Sequence, residues 1–181
     1  MTIIAAAAWG GCGAMVGDRA AANASTYEVM TAAEPKIARY PFGLVGYTAS
    51  FEVPQILVPV FTDHGTVDSG KGLRDLIGKM REALTGAGWR AESTTGSPAH
   101  DGLGLLILSN RGRVVQVSST FQTNMYRERY AAIGCGGSYA LGAMHAAKAS
   151  RGTAAAAALA GGRAAVAHSG FCVGPLDILT V

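Results

Sequence analysis

The chain is poor in charge and in aromatic rings: Asp, Glu, Lys and Arg make up 15% of its 181 residues, and Phe, Trp and Tyr 7%. With 49% hydrophobic residues it has the composition of a packed domain, not of a disordered tail. The net charge of +3 comes from scattered Lys and Arg, without the basic stripe that nucleic-acid binding needs. Cys12, Cys135 and Cys172 form no CxxC pair and no Cys/His zinc spacing, so reduced, partly buried thiols are expected. The four histidines make no HExxH motif, which argues against a catalytic zinc. A GxxxxGK[ST] loop is also missing, so ATP is not bound by this chain. No basic-then-apolar leader is seen, and the apolar stretches are too short or too rich in glycine to span a membrane. A soluble, cytoplasmic protein of one domain, residues 1–181, is the expectation. So little charge on an alanine-rich chain also favours a surface partly covered by other subunits.

The opening quarter reads as antiparallel strands joined by tight turns. Residues 2–8 are apolar, Gly10-Gly11-Cys12-Gly13 is a hairpin turn, and residues 14–17 resume a strand that ends at Asp18-Arg19. A small-residue loop is expected over 20–26. Residues 37–40 and 44–47 are short strands about a turn at Pro41-Phe42-Gly43. Helix follows from about residue 50, with Ile56, Leu57 and Val60 on one face and a distortion at Pro59. After a loop at 65–72, Leu73, Leu76, Ile77, Met80 and Leu84 recur at helical spacing, and Gly86 and Gly88 end that helix. Residues 92–102 are polar and read as an exposed, mobile loop.

Beyond it, residues 103–108 and 113–118 flank a turn and read as a hairpin. A strand at 130–133 runs into Gly134-Cys135-Gly136-Gly137. Two helices follow, 138–149 and 153–166, the second weakened by Gly161-Gly162, and a β-like tail closes the chain at 176–181. Strands, two helices, strands, two helices and a strand imply an α+β fold. The layering expected is a four-layer α/β/β/α sandwich of two antiparallel sheets flanked by helices.

One residue has chemical potential that its neighbours lack. Thr2 stands directly behind Met1, and methionine aminopeptidases act when the second residue is small. A threonine at a free N-terminus carries a nucleophile and a base together, its hydroxyl and its α-amine. That amine titrates at about 7.7–8.0, so much of it can accept the hydroxyl proton near neutral pH.

Four stretches now carry a resemblance, in order, over almost the whole chain: Thr2-Ile3-Ile4; Val16-Gly17-Asp18; Lys36-Ile37-Ala38-Arg39 through Leu44-Val45-Gly46-Tyr47; and Ala132-Ile133-Gly134-Cys135-Gly136-Gly137-Ser138-Tyr139-Ala140. Together they resemble the β-type proteasome family of N-terminal nucleophile hydrolases, and within it the bacterial HslV-type peptidases. The resemblance implies Thr2 as nucleophile, Lys36 as the cation beside it, Asp18 as the acid that orients Lys36, and Gly46 as the backbone N–H donor to the oxyanion. Cys135 stands where the family usually has serine and would support the α-amine. Backbone carbonyls of Gly162, Ala165 and His168 would hold a monovalent cation such as Na⁺, with no other cofactor required. The implied assembly is a homo-oligomeric pair of stacked rings that degrades unfolded polypeptides. A separate AAA+ ATPase unfoldase would be its partner. Two readings on the same fold stay open: an amidase for a small molecule, and a catalytically silent ring or shell subunit.

Overall fold

The computed structural model describes residues 2–22, 28–48, 51–89 and 103–181. Along the chain these form β1 (Ile3–Trp9), β2 (Cys12–Asp18), β3 (Ala20–Ala22), β4 (Val29–Thr31), β5 (Ile37–Tyr40) and β6 (Gly43–Thr48). Helices α1 (Glu52–Thr62) and α2 (Gly70–Gly86) follow. Then come β7 (Gly104–Ser109), β8 (Val114–Val117), β9 (Thr123–Met125) and β10 (Tyr130–Gly134). Helices α3 (Gly137–Ala149) and α4 (Ala154–His168) lead to the last strand, β11 (Leu176–Thr180).

Two antiparallel sheets result, one in the order β10-β1-β2-β11 and the other β5-β6-β7-β8-β9, with β3 and β4 as a separate hairpin. β1 is apolar at every position because both of its faces are covered. Ile3, Ala5 and Ala7 pack with Ala140, Met144 and Ala157 of α3 and α4. Ile4, Ala6 and Ala8 turn the other way, onto Leu44, Leu106 and Leu108 of the second sheet. That sheet buries its outer face under α1 and α2 through Leu57, Phe61, Leu76 and Met80. The layers are therefore helix, sheet, sheet, helix, the sandwich anticipated from the sequence. Strand β1 lies at its centre.

Local chemistry accounts for the joints. Gly10 and Gly11 have φ of 65° and 80°, the left-handed pair that a two-residue hairpin turn between β1 and β2 demands. Ser69 caps α2 by accepting the Gly72 N–H at 2.9 Å, and Thr153 caps α4 by accepting that of Ala156 at 3.1 Å.

Several expectations are corrected. The loop expected at 20–26 contains strand β3, paired with β4 through Ala20↔Thr31 to Ala22↔Val29. α2 starts at Gly70, inside the loop expected at 65–72, because the Ser69 cap recruits the glycines. β9 had no sequence signal: Thr123, Asn124 and Met125 are all exposed. The buried stripe of α1 is Val53, Leu57 and Phe61, while Ile56 and Val60 are half-buried. The helix continues through Pro59, held by that stripe against the sheet. The loop expected at 92–102 lies outside the described residues.

α4 meets β2 closely enough that a side chain at Gly162 would come within 2.7 Å of Val16 and 3.2 Å of Leu176. Gly142 on α3 has open space around it. We expect Gly162→Val to lower the unfolding free energy by about 1–3 kcal/mol through overpacking, and Gly142→Ala to raise it by about 0.5–1 kcal/mol. Urea denaturation of both variants checks this; an unchanged Gly162→Val would mean that α4 does not press on β2.

Candidate active site

Antiparallel pairing gathers three strand ends at one edge of the β10-β1-β2-β11 sheet. β1 starts there, and Ile3 lies opposite Gly134 at the end of β10, while Ile4 lies opposite Gly17 near the end of β2. Thr2, one residue before β1, is thus held between Asp18 and the Gly134–Cys135 corner. The second sheet contributes Lys36, which precedes β5, and Thr48, which ends β6. Thr2, Asp18 and Lys36 are 5%, 0% and 2% exposed.

The three side chains form a contiguous chain of contacts. The Lys36 ammonium donates to Thr2 Oγ1 at 2.8 Å and to Asp18 Oδ1 at 3.0 Å. Asp18 Oδ1 also accepts the Ile3 N–H at 3.1 Å, and Oδ2 accepts those of Ala20 and Val173, each at 3.4 Å. A buried carboxylate without partners would cost several kcal/mol, and three backbone donors plus the Lys36 ammonium offset that cost here. Among the described residues no buried side-chain nitrogen or oxygen lacks a hydrogen-bond partner. The arrangement places a positive charge against a hydroxyl oxygen. Such a charge stabilises an alkoxide or oxyanion developing at that point.

Gly134 shows how tightly the corner is built. Its φ is 97°, and a side chain there would meet Thr2 O at 2.0 Å, Thr2 C at 2.7 Å and Thr48 Cγ2 at 3.3 Å. Only glycine lets the two backbones approach so closely. Cys135 follows it, and its Sγ lies 3.5 Å from Thr2 O, so the contact seen is with the Thr2 carbonyl. Cys172 Sγ stands 3.6 Å from Cys135 Sγ and Ser169 Oγ 3.7 Å from it. These two donors pull the Cys135 thiol below its ordinary pKa, the Cys172 contact most, to about 5. The same contact, with burial, pushes Cys172 up.

Gly46 is not at this corner in the way expected. It lies inside β6, opposite Ile37 of β5 on one side and Leu106 of β7 on the other. Tyr47 N–H points to β5, donating to Lys36 O at 3.2 Å, so strand alternation turns the Gly46 N–H to β7. An N–H committed to a sheet ladder does not serve an oxyanion. Its lack of a side chain has a packing cause instead: a Cβ would lie 2.5 Å from Ile4 Cγ2 and 3.0 Å from Met15 Sδ.

The carbonyls expected to hold a cation lie on α4. Gly162 and Ala165 are buried within α4, and Ala165 O already accepts the Ser169 N–H at 2.8 Å. Only His168 is at the helix end. Among the described residues, no cluster of His, Cys, Asp and Glu could hold a metal ion.

Ser169, Cys172 and the Val173 N–H join the site without having been anticipated. They follow α4 and reach Thr2's surroundings only through the packing of that helix on the sheet. Beside Thr48 and Gly134 opens a cleft of about 470 Å³, lined also by Gly104, Ser118, Ser138 and Leu141 and, among the described residues, by no charged one.

No protein-family model matches the chain, and no curated protein matches it in sequence. Solved structures do match. Thiobacillus denitrificans BPH in complex with epoxomicin superposes with a TM-score of 0.80 at 21% identity, over 99% of this chain and 98% of that one. Eukaryotic HslV from Trypanosoma brucei gives 0.71 at 17% identity, over 99% and 98%. Anbu, the ancestral beta-subunit from Yersinia bercovieri, gives 0.67 at 16% identity, over 99% and 81%. At these identities the likeness shows the fold, which this chain shares with BPH, HslV and Anbu.

Removing one member of the buried pair isolates the other in the protein interior. We expect Asp18→Ala to lower the unfolding free energy by about 3–5 kcal/mol. Lys36→Met added to it should restore part of the loss, with a coupling of about 0.5–3 kcal/mol in a double-mutant cycle. Strictly additive losses would contradict the pairing.

Proposed function

We propose that the chain is a threonine-type peptidase subunit in which Thr2 is the nucleophile once whatever precedes it has been removed. The observation that carries this reading is the Lys36 ammonium, 2.8 Å from Thr2 Oγ1 and 3.0 Å from Asp18. The freed α-amine takes the hydroxyl proton, directly or through a water, as Oγ1 attacks the substrate carbonyl carbon. Lys36 stabilises the negative charge that develops, and Asp18 keeps it aimed. The tetrahedral intermediate collapses to an ester on Thr2 and expels the amine product, which carries the proton away. Water, activated by the same α-amine, then hydrolyses the ester and restores Thr2. The neutral cleft beside Gly134 suits apolar or uncharged substrate residues.

The substrates proposed are unfolded polypeptides, met inside homo-oligomeric stacked rings. Val58 on α1 and Tyr139 and Leu141 on α3 are exposed and apolar, as surfaces awaiting neighbouring subunits would be. A separate AAA+ ATPase unfoldase is the proposed feeder, and the cytoplasm the proposed compartment. No described helix is long and apolar enough to cross a membrane. The proposed chemistry needs no cofactor, and no step is assigned to a cation at the end of α4.

Epoxomicin, present in the similar Thiobacillus denitrificans BPH structure, serves as the probe. Intact-mass measurement should show one epoxomicin added per wild-type chain whose N-terminus is Thr2, and none on Thr2→Ala. Cleavage of a fluorogenic peptide should fall roughly 10³-fold or more in Thr2→Ala and persist in Thr2→Ser. Cleavage undiminished in Thr2→Ala would sink the mechanism, and so would an inert wild-type protein that begins at Thr2.

A further inference from the structure

We propose that Cys135 and Cys172 are a redox pair that closes to a disulfide under a hydroperoxide and thereby moves the Cys135 sulfur from its place 3.5 Å from Thr2 O. Their sulfurs lie 3.6 Å apart, although 37 residues separate them in sequence. Closure to about 2.05 Å asks for an approach of about 1.5 Å, within reach of side-chain rotation. The site is built to admit the second sulfur. Gly136, between Cys135 and α3, has no side chain, and a Cβ there would lie 2.9 Å from Cys172 Sγ.

The two thiols are unequal in a way that suits sequential roles. Cys135 is exposed, and Cys172 is buried behind it. Cys135 also lies two residues before the first residue of α3, a thirteen-residue helix whose N-terminal end favours negative charge. Ser169 Oγ, 3.7 Å away, offers a further donor to its sulfur. Cys12 takes no part. It sits at the turn beyond Trp9, at the far end of β1 from Thr2, roughly 20 Å along the strand.

The chemistry balances with a hydroperoxide as the oxidant. The Cys135 thiolate attacks one peroxide oxygen, the O–O bond breaks, and a sulfenic acid and one water (or alcohol) result. Cys172 sulfur then attacks Cys135 sulfur, the S–O bond breaks, and the Cys172 proton leaves with the departing hydroxide as a second water. Two thiols are oxidised by two electrons and the peroxide is reduced by two. In the product the Cys135 sulfur is bonded to Cys172 and drawn from its position beside Thr2 O. The consequence for turnover rests on the peptidase reading: a shift of the Thr2 backbone moves its hydroxyl from Lys36 and slows cleavage.

The test uses the Cys12→Ser protein, which cannot cross-link between chains through that residue, treated with hydrogen peroxide and mapped without reductant. The expected product is two hydrogens lighter, joins the Cys135 and Cys172 peptides, and reverts with dithiothreitol. Cys172→Ser should instead accumulate Cys135 sulfinic acid, two oxygens heavier. Sulfinic acid at Cys135 beside a free Cys172 in the parent protein would overturn the pair. The cross-linked protein should cleave peptide about tenfold to a hundredfold more slowly, recovering on reduction. Equal rates in the two forms would overturn the link to Thr2. A reduced protein that cleaves nothing would defeat the peptidase reading, while the peptide map would still decide the pair.

Discussion

An ion pair removed from water is the constraint that organises this molecule. Asp18 ends β2 in one sheet and Lys36 precedes β5 in the other, so their 3.0 Å contact fastens the two sheets at one edge. Burying either charge alone would be strongly unfavourable, and the pair is tolerable only because backbone donors complete the carboxylate. Those donors come from Ile3 on β1, Ala20 on β3 and Val173 beyond α4. Strands and the segment after a helix therefore converge on one carboxylate. Thr2 is the residue left at the centre of that convergence, within 2.8 Å of the ammonium.

The chemistry proposed for this arrangement needs no further parts. A hydroxyl with a cation on one side needs only a base on the other, and a free threonine terminus supplies its own. The rigid surroundings matter as much as the groups. Gly134 allows the backbone of β10 to touch the Thr2 carbonyl, and the Cys135 sulfur lies 3.5 Å from the same oxygen. The position of Thr2, the proposed nucleophile, is thus set by the backbone of β1 and its neighbours rather than by a mobile loop, which is what an attack geometry requires.

Much of this was legible in the residues themselves. Period and punctuation located most elements: Gly10-Gly11 marks the first turn, and Leu73, Leu76, Met80 and Leu84 mark α2. Thr2, Asp18 and Lys36 were found through a resemblance in ordered motifs, and the structure brings these three together. Other features depended on tertiary pairing. Whether Gly46 stands mid-strand or at a strand end cannot be read from Leu-Val-Gly-Tyr; its partners Ile37 and Leu106 decide it. The α4 carbonyls rest on position within the resemblance alone, and of the three only Ala165 O has a contact at the helix end to set beside it, the Ser169 N–H. Cys172 carried no local signal, because its approach to Cys135 arises only when α4 packs beside α3 on the β10-β1-β2-β11 sheet. Strand β3, written in alanines, has nothing in its side chains to separate it from a loop.

The central claim is that the hydroxyl and the α-amine of Thr2 act together. The most direct measurement compares the same chain in two forms, one released from a removable N-terminal fusion to begin at Thr2 and one retaining a single residue before it. Fluorogenic-peptide cleavage is predicted in the first form and absent in the second, since acylating the amine removes the base while leaving the hydroxyl and Lys36 in the chain. Equal cleavage by both forms would contradict the account.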